Sequence, residues 1–239
     1  GKDHPDTLNT RHNLARWRGE AGDAAGAATA LTDLLADLVR VLGEDHPDTL
    51  TARHNLAYWR GAAGDAAGAA TALADLLADL VRVLGEDHPD TLTTRHNLAY
   101  WRGKTGDAAG AATALANLLP DMVRVVGEDH PDTLTTRNNL ALWRGEAGDA
   151  AGAATAFTDL LPDRIRVLGE DHPRTLTTRH NLAHWRGEAG DAAGAATAFT
   201  DLLADMVRVL GKDHPDTLNT RNNLAHWQGE AEGDGRASG

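Results

Sequence analysis

Residues 43–84 read GEDHPDTLTARHNLAYWRGAAGDAAGAATALADLLADLVRVL, and the tryptophan inside this stretch, Trp59, recurs as Trp17, Trp101, Trp143, Trp185 and Trp227. Each step is 42 residues, so the chain is a tandem array. Counted from Gly1, it holds five full units, 1–42, 43–84, 85–126, 127–168 and 169–210, and a partial sixth over 211–228. The remaining 229–239, GEAEGDGRASG, is small and polar without apolar periodicity, which predicts a tail with no fixed structure.

The punctuation of one unit predicts two helices. Pro47 suits a first helical turn, where its missing N–H has no partner to lose, and the first helix is expected over about 47–62. Gly64 supplies the left-handed residue that ends it, and Asp65 can accept from the free N–H groups opening a second helix over about 66–84. In that helix Ala69, Leu73, Leu76, Leu77 and Leu80 recur at three- and four-residue steps, with Thr71, Asp75, Asp79 and Arg82 on the opposite arc. One such pair cannot bury its apolar face alone, so neighbouring units must stack into a solenoid.

Within the repeated NLAYWRG one letter varies, as Arg16, Tyr58, Tyr100, Leu142 and His184. On a helical wheel Leu50, Ala52, Leu56, Ala57 and Trp59 share one arc with Thr49, Arg53 and Arg60. Thr51, His54, Asn55, Tyr58 and Gly61 form the other, so the variable letter is predicted to face away from the packing.

Composition narrows the class. Hydrophobic residues make up 41% and aromatics only 4%, with no β-branched runs, which points to an all-α chain. No cysteine means no disulfide and no thiolate zinc site. With neither a long apolar run nor a signal peptide, the reading is no membrane and a cytoplasmic location. A formal charge of −12 argues against nucleic acid as partner.

Leu56-Ala57, then Gly64, then Ala70 and Leu73 in a helix–turn–helix resemble the tetratricopeptide repeat. The 42-residue period, the GEDHPDTL lead-in and the NNLA-type first helix are similar to the longer variant of kinesin light chains and bacterial signalling proteins. Arg18, Arg60, Arg102, Arg144 and Arg186 depart from it, standing where the family often has an aromatic. The resemblance implies a right-handed superhelical solenoid of antiparallel helix pairs, five full repeats plus a final single helix. It also implies a non-catalytic module whose first helices line a concave groove for a peptide or protein segment.

Carried over position by position, the partner-binding stripe is His12, Asn13 and Arg16, then His54, Asn55 and Tyr58, then His96, Asn97 and Tyr100. It continues as Asn138, Asn139 and Leu142, and as His180, Asn181 and His184. The resemblance assigns the asparagines to the ligand's backbone and the variable position to specificity; the alternative is that the asparagines merely bridge neighbouring helices.

Enzymatic and metal-binding roles stand far behind. There is no serine except Ser238 and no glycine-rich loop with lysine, so neither catalytic residue nor cofactor is assigned. His180 and His184 are spaced i, i+4 with His226 in the next unit, but no HExxH carboxylate accompanies them and no metal is assigned. His46 and its counterparts before each proline are read as caps, and Arg11 and Arg18 as charges seeking partners among Asp3, Asp6, Asp33 and Asp37.

The local exceptions are Arg164 in place of Leu or Met, Arg174 in place of Asp, and Pro120 and Pro162 in second helices. The prolines are expected on the water-facing arc, kinking rather than breaking the helix. Arg164 is expected to pack its stem and extend its head to solvent, with a docking patch for an acidic partner as the lesser reading. At the ends, Leu8, Leu14 and Trp17, and Leu218, Leu224 and Trp227, are expected to leave apolar surface open for head-to-tail self-association into a homo-oligomer. The absence of an initial Met suggests a piece cut from a longer chain.

Overall fold

A computed structural model describes residue 1 and residues 3–237, apart from the side chains of 234–237. The chain divides into two compact units, Gly1–Val126 and Gly127–Gly239. The first holds α1 (Pro5–Glu20), α2 (Ala24–Leu42), α3 (Pro47–Ala62), α4 (Ala66–Leu84), α5 (Pro89–Lys104) and α6 (Ala108–Val125). The second holds α7 (Pro131–Glu146), α8 (Ala150–Leu168), α9 (Pro173–Glu188), α10 (Ala192–Val209) and α11 (Pro215–Ala237). Helices form sequential antiparallel pairs within each unit.

The ends of each helix follow from local chemistry. Pro47 opens α3 while the His46 Nδ1 accepts from the Asp48 N–H at 3.2 Å, so the repeated histidine is an N-cap. Gly64, at φ 107°, turns the chain, and the Asp65 carboxylate accepts from the Gly68 N–H at 2.8 Å to start α4. The apolar stripe then does the packing. Leu73, Leu76 and Leu80 of α4 are buried with Leu50 of α3 and with Leu98 and Trp101 of α5. In the second unit Phe157 and Leu160 of α8 pack with Leu134 and Trp185, and Phe199 and Leu202 of α10 with Leu176 and Trp227. Each such side chain contributes about 1.5–3 kcal/mol on burial.

The glycine of WRG is a seat. A Cβ built on Gly61 would lie 2.6 Å from the indole of Trp101, the tryptophan of the following repeat. Gly19 meets Trp59 in the same way, Gly145 meets Trp185 and Gly187 meets Trp227. Gly61 therefore does not face away from the packing, as the helical wheel predicts: it is buried because the next indole lies on its bare backbone.

Arginines tie each repeat to itself. Arg53 Nη1 reaches Asp79 at 2.8 Å, and Arg82 bridges Asp79 at 3.1 Å and Asp45 at 2.6 Å, joining first helix, second helix and lead-in turn. In the first repeat Arg11 pairs with Asp37 and Arg18 with Asp23, and Asp3 with Arg40. Helices α6 and α8 run unbroken through Pro120 and Pro162, both exposed.

The structure departs from the sequence reading at three more places. α11 does not stop near Gln228 but runs to Ala237 through Gly229, Gly233 and Gly235, since the segment holds no proline to interrupt the hydrogen-bond ladder; residues 238–239 lie outside the described part. Arg164 does not reach solvent: it is 2% exposed, because its position faces the core between α7 and α9. Trp227 is not left open either, being 6% exposed over Gly187, while Leu224 is half-buried.

Candidate functional site

In the first unit the second arcs of the first helices line two repeated pockets. In the first unit a cavity of about 230 Å³ between α1 and α3 is lined by Leu8, Asn9, His12, Asn13, Leu38 and Asp48. Its repeat between α3 and α5, about 250 Å³, is lined by Leu50, Thr51, His54, Leu80, Asp90 and Thr94. Leucines of first and second helices make the floor, and hydroxyl, imidazole, amide and carboxylate make the walls.

Hydrogen bonds run along these arcs from repeat to repeat. Asn55 Nδ2 lies 2.7 Å from His12 Nε2, and Asn97 Nδ2 lies 2.8 Å from His54 Nε2. An amide nitrogen can only donate, so each Nε2 accepts and the imidazole proton sits on Nδ1. His54 Nδ1 then donates to Thr94 Oγ1 at 2.9 Å. In the second unit His180 repeats the arrangement, with Asn223 at 3.0 Å and Thr220 at 3.2 Å. Burial holds the pKa of His54 and His180 below the ordinary imidazole value, and that of His12 is lowered by burial and then by Arg16. Asn55, Asn97 and Asn223 thus bridge neighbouring first helices, with one N–H and the Oδ1 of Asn55 and Asn97 beyond that bond, whereas Asn13 bonds to Asn9 within α1.

The variable position leans on the tryptophan ladder. Tyr58 is 40% exposed and stands edge-on to Trp59 and to Trp101, with ring centres 5.0 and 6.0 Å apart. His184 stands edge-on to Trp185 at 4.9 Å and tilted against Trp227 at 6.2 Å. Arg16 is exposed and pairs with Glu20 at 3.4 Å, Tyr100 is half-buried with the Lys104 ammonium 5.6 Å from its ring centre, and Leu142 is half-buried. His96, Asn13, Asn138, Asn139 and Asn181 are half-buried on the same arc. The indole contact was absent from the sequence reading because it joins residues of different repeats, a relation no single-helix wheel contains.

The terminal residues divide. Leu14 and Trp17 are 62% and 58% exposed and flank an open cleft, and Leu218 is 41% exposed, whereas Leu8 is buried. Among the described residues no group of three His, Asp or Glu converges to hold a metal, and both nitrogens of His180 are already engaged. No described helix is long and apolar enough to cross a membrane.

The family description Tetratricopeptide repeat matches residues 7–48, 49–90, 91–132, 133–174 and 175–216, and the chain belongs to that family. Its repeat frame starts at Thr7, inside α1, with the same 42-residue period. Among solved structures the chain is similar to the nearly identical TPR-like repeats of a candidate kinesin light chain from Podosopora anserina. That match has 24% identity and a TM-score of 0.71, covering 86% of this chain and 97% of that one. BtubC (BKLC) from P. vanneervenii matches at 20% identity and a TM-score of 0.72, covering 88% of this chain and 83% of that one. A Rap protein complexed with Competence and Sporulation Factor matches at 12% identity and a TM-score of 0.68, covering 95% of this chain and 70% of that one. A search of curated protein sequences gives no match.

Proposed function

We propose that this tetratricopeptide-repeat chain is a non-catalytic interaction scaffold that holds an extended peptide along the row of first helices. The observation that carries the reading is the recurrence of one polar-walled, leucine-floored pocket at each step between α1, α3 and α5. An extended ligand meets a similar acceptor and donor set at these steps, and the unspent amide groups of Asn55 and Asn97 suit its backbone. The exposed side of Tyr58, with its counterparts at 16, 100, 142 and 184, supplies what differs from step to step. The complex of the Rap protein with Competence and Sporulation Factor accords with a binding use of the fold.

Peptides selected from a displayed random library test it. Their affinity, measured by calorimetry, is expected to fall when Arg16, Tyr58, Tyr100, Leu142 and His184 are replaced by Ala, with helicity retained. No selectable peptide, or affinity indifferent to all five replacements, rejects the reading. The exposure of Leu14 and Trp17 favours a second one, docking of another copy on that face. Light scattering over a wide concentration range decides it: a monomeric mass throughout, unchanged when Leu14 and Trp17 are made polar, excludes self-assembly.

A further inference from the structure

Three of the few departures from the repeat fall on positions that, in the first unit, line one pocket. The cavity between α3 and α5 is lined by Leu50, His54, Leu80, Asp90 and Thr94. Two repeats further on, the same positions are Leu134, Asn138, Arg164, Arg174 and Thr178, carried by α7, α8 and α9 within the second unit. A leucine floor has become a guanidinium, a carboxylate at the rim has become a second guanidinium, and the imidazole between them has become a shorter amide.

The contacts hold these residues together. Arg164 Nη2 donates to the Leu134 carbonyl at 3.0 Å, and Thr178 Oγ1 reaches Asn138 Oδ1 at 3.5 Å. Thr175, next to Arg174, donates its hydroxyl to the Arg164 carbonyl at 3.5 Å. Nε and Nη1 of Arg164 are buried with no hydrogen-bond partner. Burial first, then Arg174 and Arg137, draw its pKa down to about 10. Arg137 is paired with Asp163 at 2.7 Å, and Arg166 and Arg179 likewise have aspartates. Among the described residues no carboxylate pairs with Arg164.

A buried guanidinium with open donors costs stability, and the fold does without it, since Leu38, Leu80, Met122 and Met206 fill the same position. What such open donors match is an oxyanion, to which the Nε–H edge or the Nη1 edge of Arg164 can donate, with Arg174 on the exposed first turn of α9 adding a second charge. We propose that the cluster of Asn138, Arg164, Arg174 and Thr178 binds an oxyanion, the carboxylate or phosphate of an acidic or phosphorylated residue on a peptide in the groove. The peptide as source rests on the scaffold reading above; the affinity for an oxyanion does not.

Nitrogen-15 NMR of the arginine Nε–H groups during titration with inorganic phosphate tests the cluster by itself. The variant Arg164→Leu/Arg174→Asp restores the residues other repeats carry, so it folds, as circular dichroism will verify. The expected result is a saturable shift of the Arg164 Nε–H in the wild type, and a rise of its melting temperature with phosphate larger than that of the double variant. Selected peptides then report the source: acidic or phosphoserine forms are expected to bind about tenfold more tightly than Ser or Asn forms, with the preference lost in the double variant. A phosphate response without that preference overturns the peptide as source and leaves a site for free anions. A phosphate response with no peptide binding at all refutes the scaffold reading but not the cluster. Equal phosphate behaviour of wild type and double variant overturns the proposal.

Discussion

At Gly61 a missing methyl group decides how two repeats meet. Alanine there gains about 1 kcal/mol of helix propensity, but its Cβ would lie 2.6 Å from the Trp101 ring, which Tyr58 backs on another side. Overpacking of this kind costs about 1–3 kcal/mol, so Gly61→Ala is expected to lower the denaturant midpoint of the protein despite being a better helix former. Arg164 gives the opposite case. Arg164→Leu removes two buried nitrogens without hydrogen-bond partners and inserts the residue that other repeats use, so thermal unfolding is expected to shift upward in the absence of anions. The histidine ladder adds a dependence on pH. His54 and His180 have folded pKa values below the ordinary 6.5, and protonation of Nε2 would set one donor against another, Asn97 in one case and Asn223 in the other. A group depressed in this way contributes stability that is present above pH 6.5 and lost as pH falls through its folded pKa. Stability curves against pH are expected to decline as pH falls below 6.5. His54→Asn, the residue found at 138, is expected to shrink the decline.

At the scale of the element, each helix is bounded by residues next to it and placed by residues far away. The Asp65 cap, the His46 cap and Gly64 would start and stop α3 and α4 in any setting, which is why those boundaries, Pro47–Ala62 and Ala66–Leu84, are legible in the sequence. The prolines of α6 and α8 are tolerated because both are exposed, where water can take the carbonyl left without a donor. Pro120→Ala is expected to restore one hydrogen bond and stabilise α6 by up to about 3 kcal/mol, read as a higher melting temperature and slower amide exchange in 108–125. No change in either would mean that the hydrogen bond Pro120 forgoes adds nothing to the stability of α6.

At the scale of the whole molecule, every helix contact within a unit is with the next element or the next but one. Stability is then a sum of repeat and nearest-neighbour contributions rather than a property of one central core. Excision of 85–126, one full repeat, is expected to leave a folded protein with helicity reduced in proportion and a lower melting temperature. Complete loss of helical signal on this excision would show long-range cooperativity that the contact pattern does not contain.

What the sequence determines by itself is everything that depends on spacing along the chain: the 42-residue period, the helix pairs, their caps and the apolar stripe, because propensity and periodicity are local. The polar arc holding His54, Asn55 and Tyr58 is legible for the same reason. Tertiary structure alone decides which residues of neighbouring repeats touch. Gly61 lies beneath Trp101, Asn97 bonds to His54, and Arg164, polar in the sequence, is interior in the fold. A helical wheel sorts residues around one axis and carries no information about the second axis that comes to lie against it. An arginine on the packed arc can snorkel or be enclosed, and only the neighbouring helices decide which.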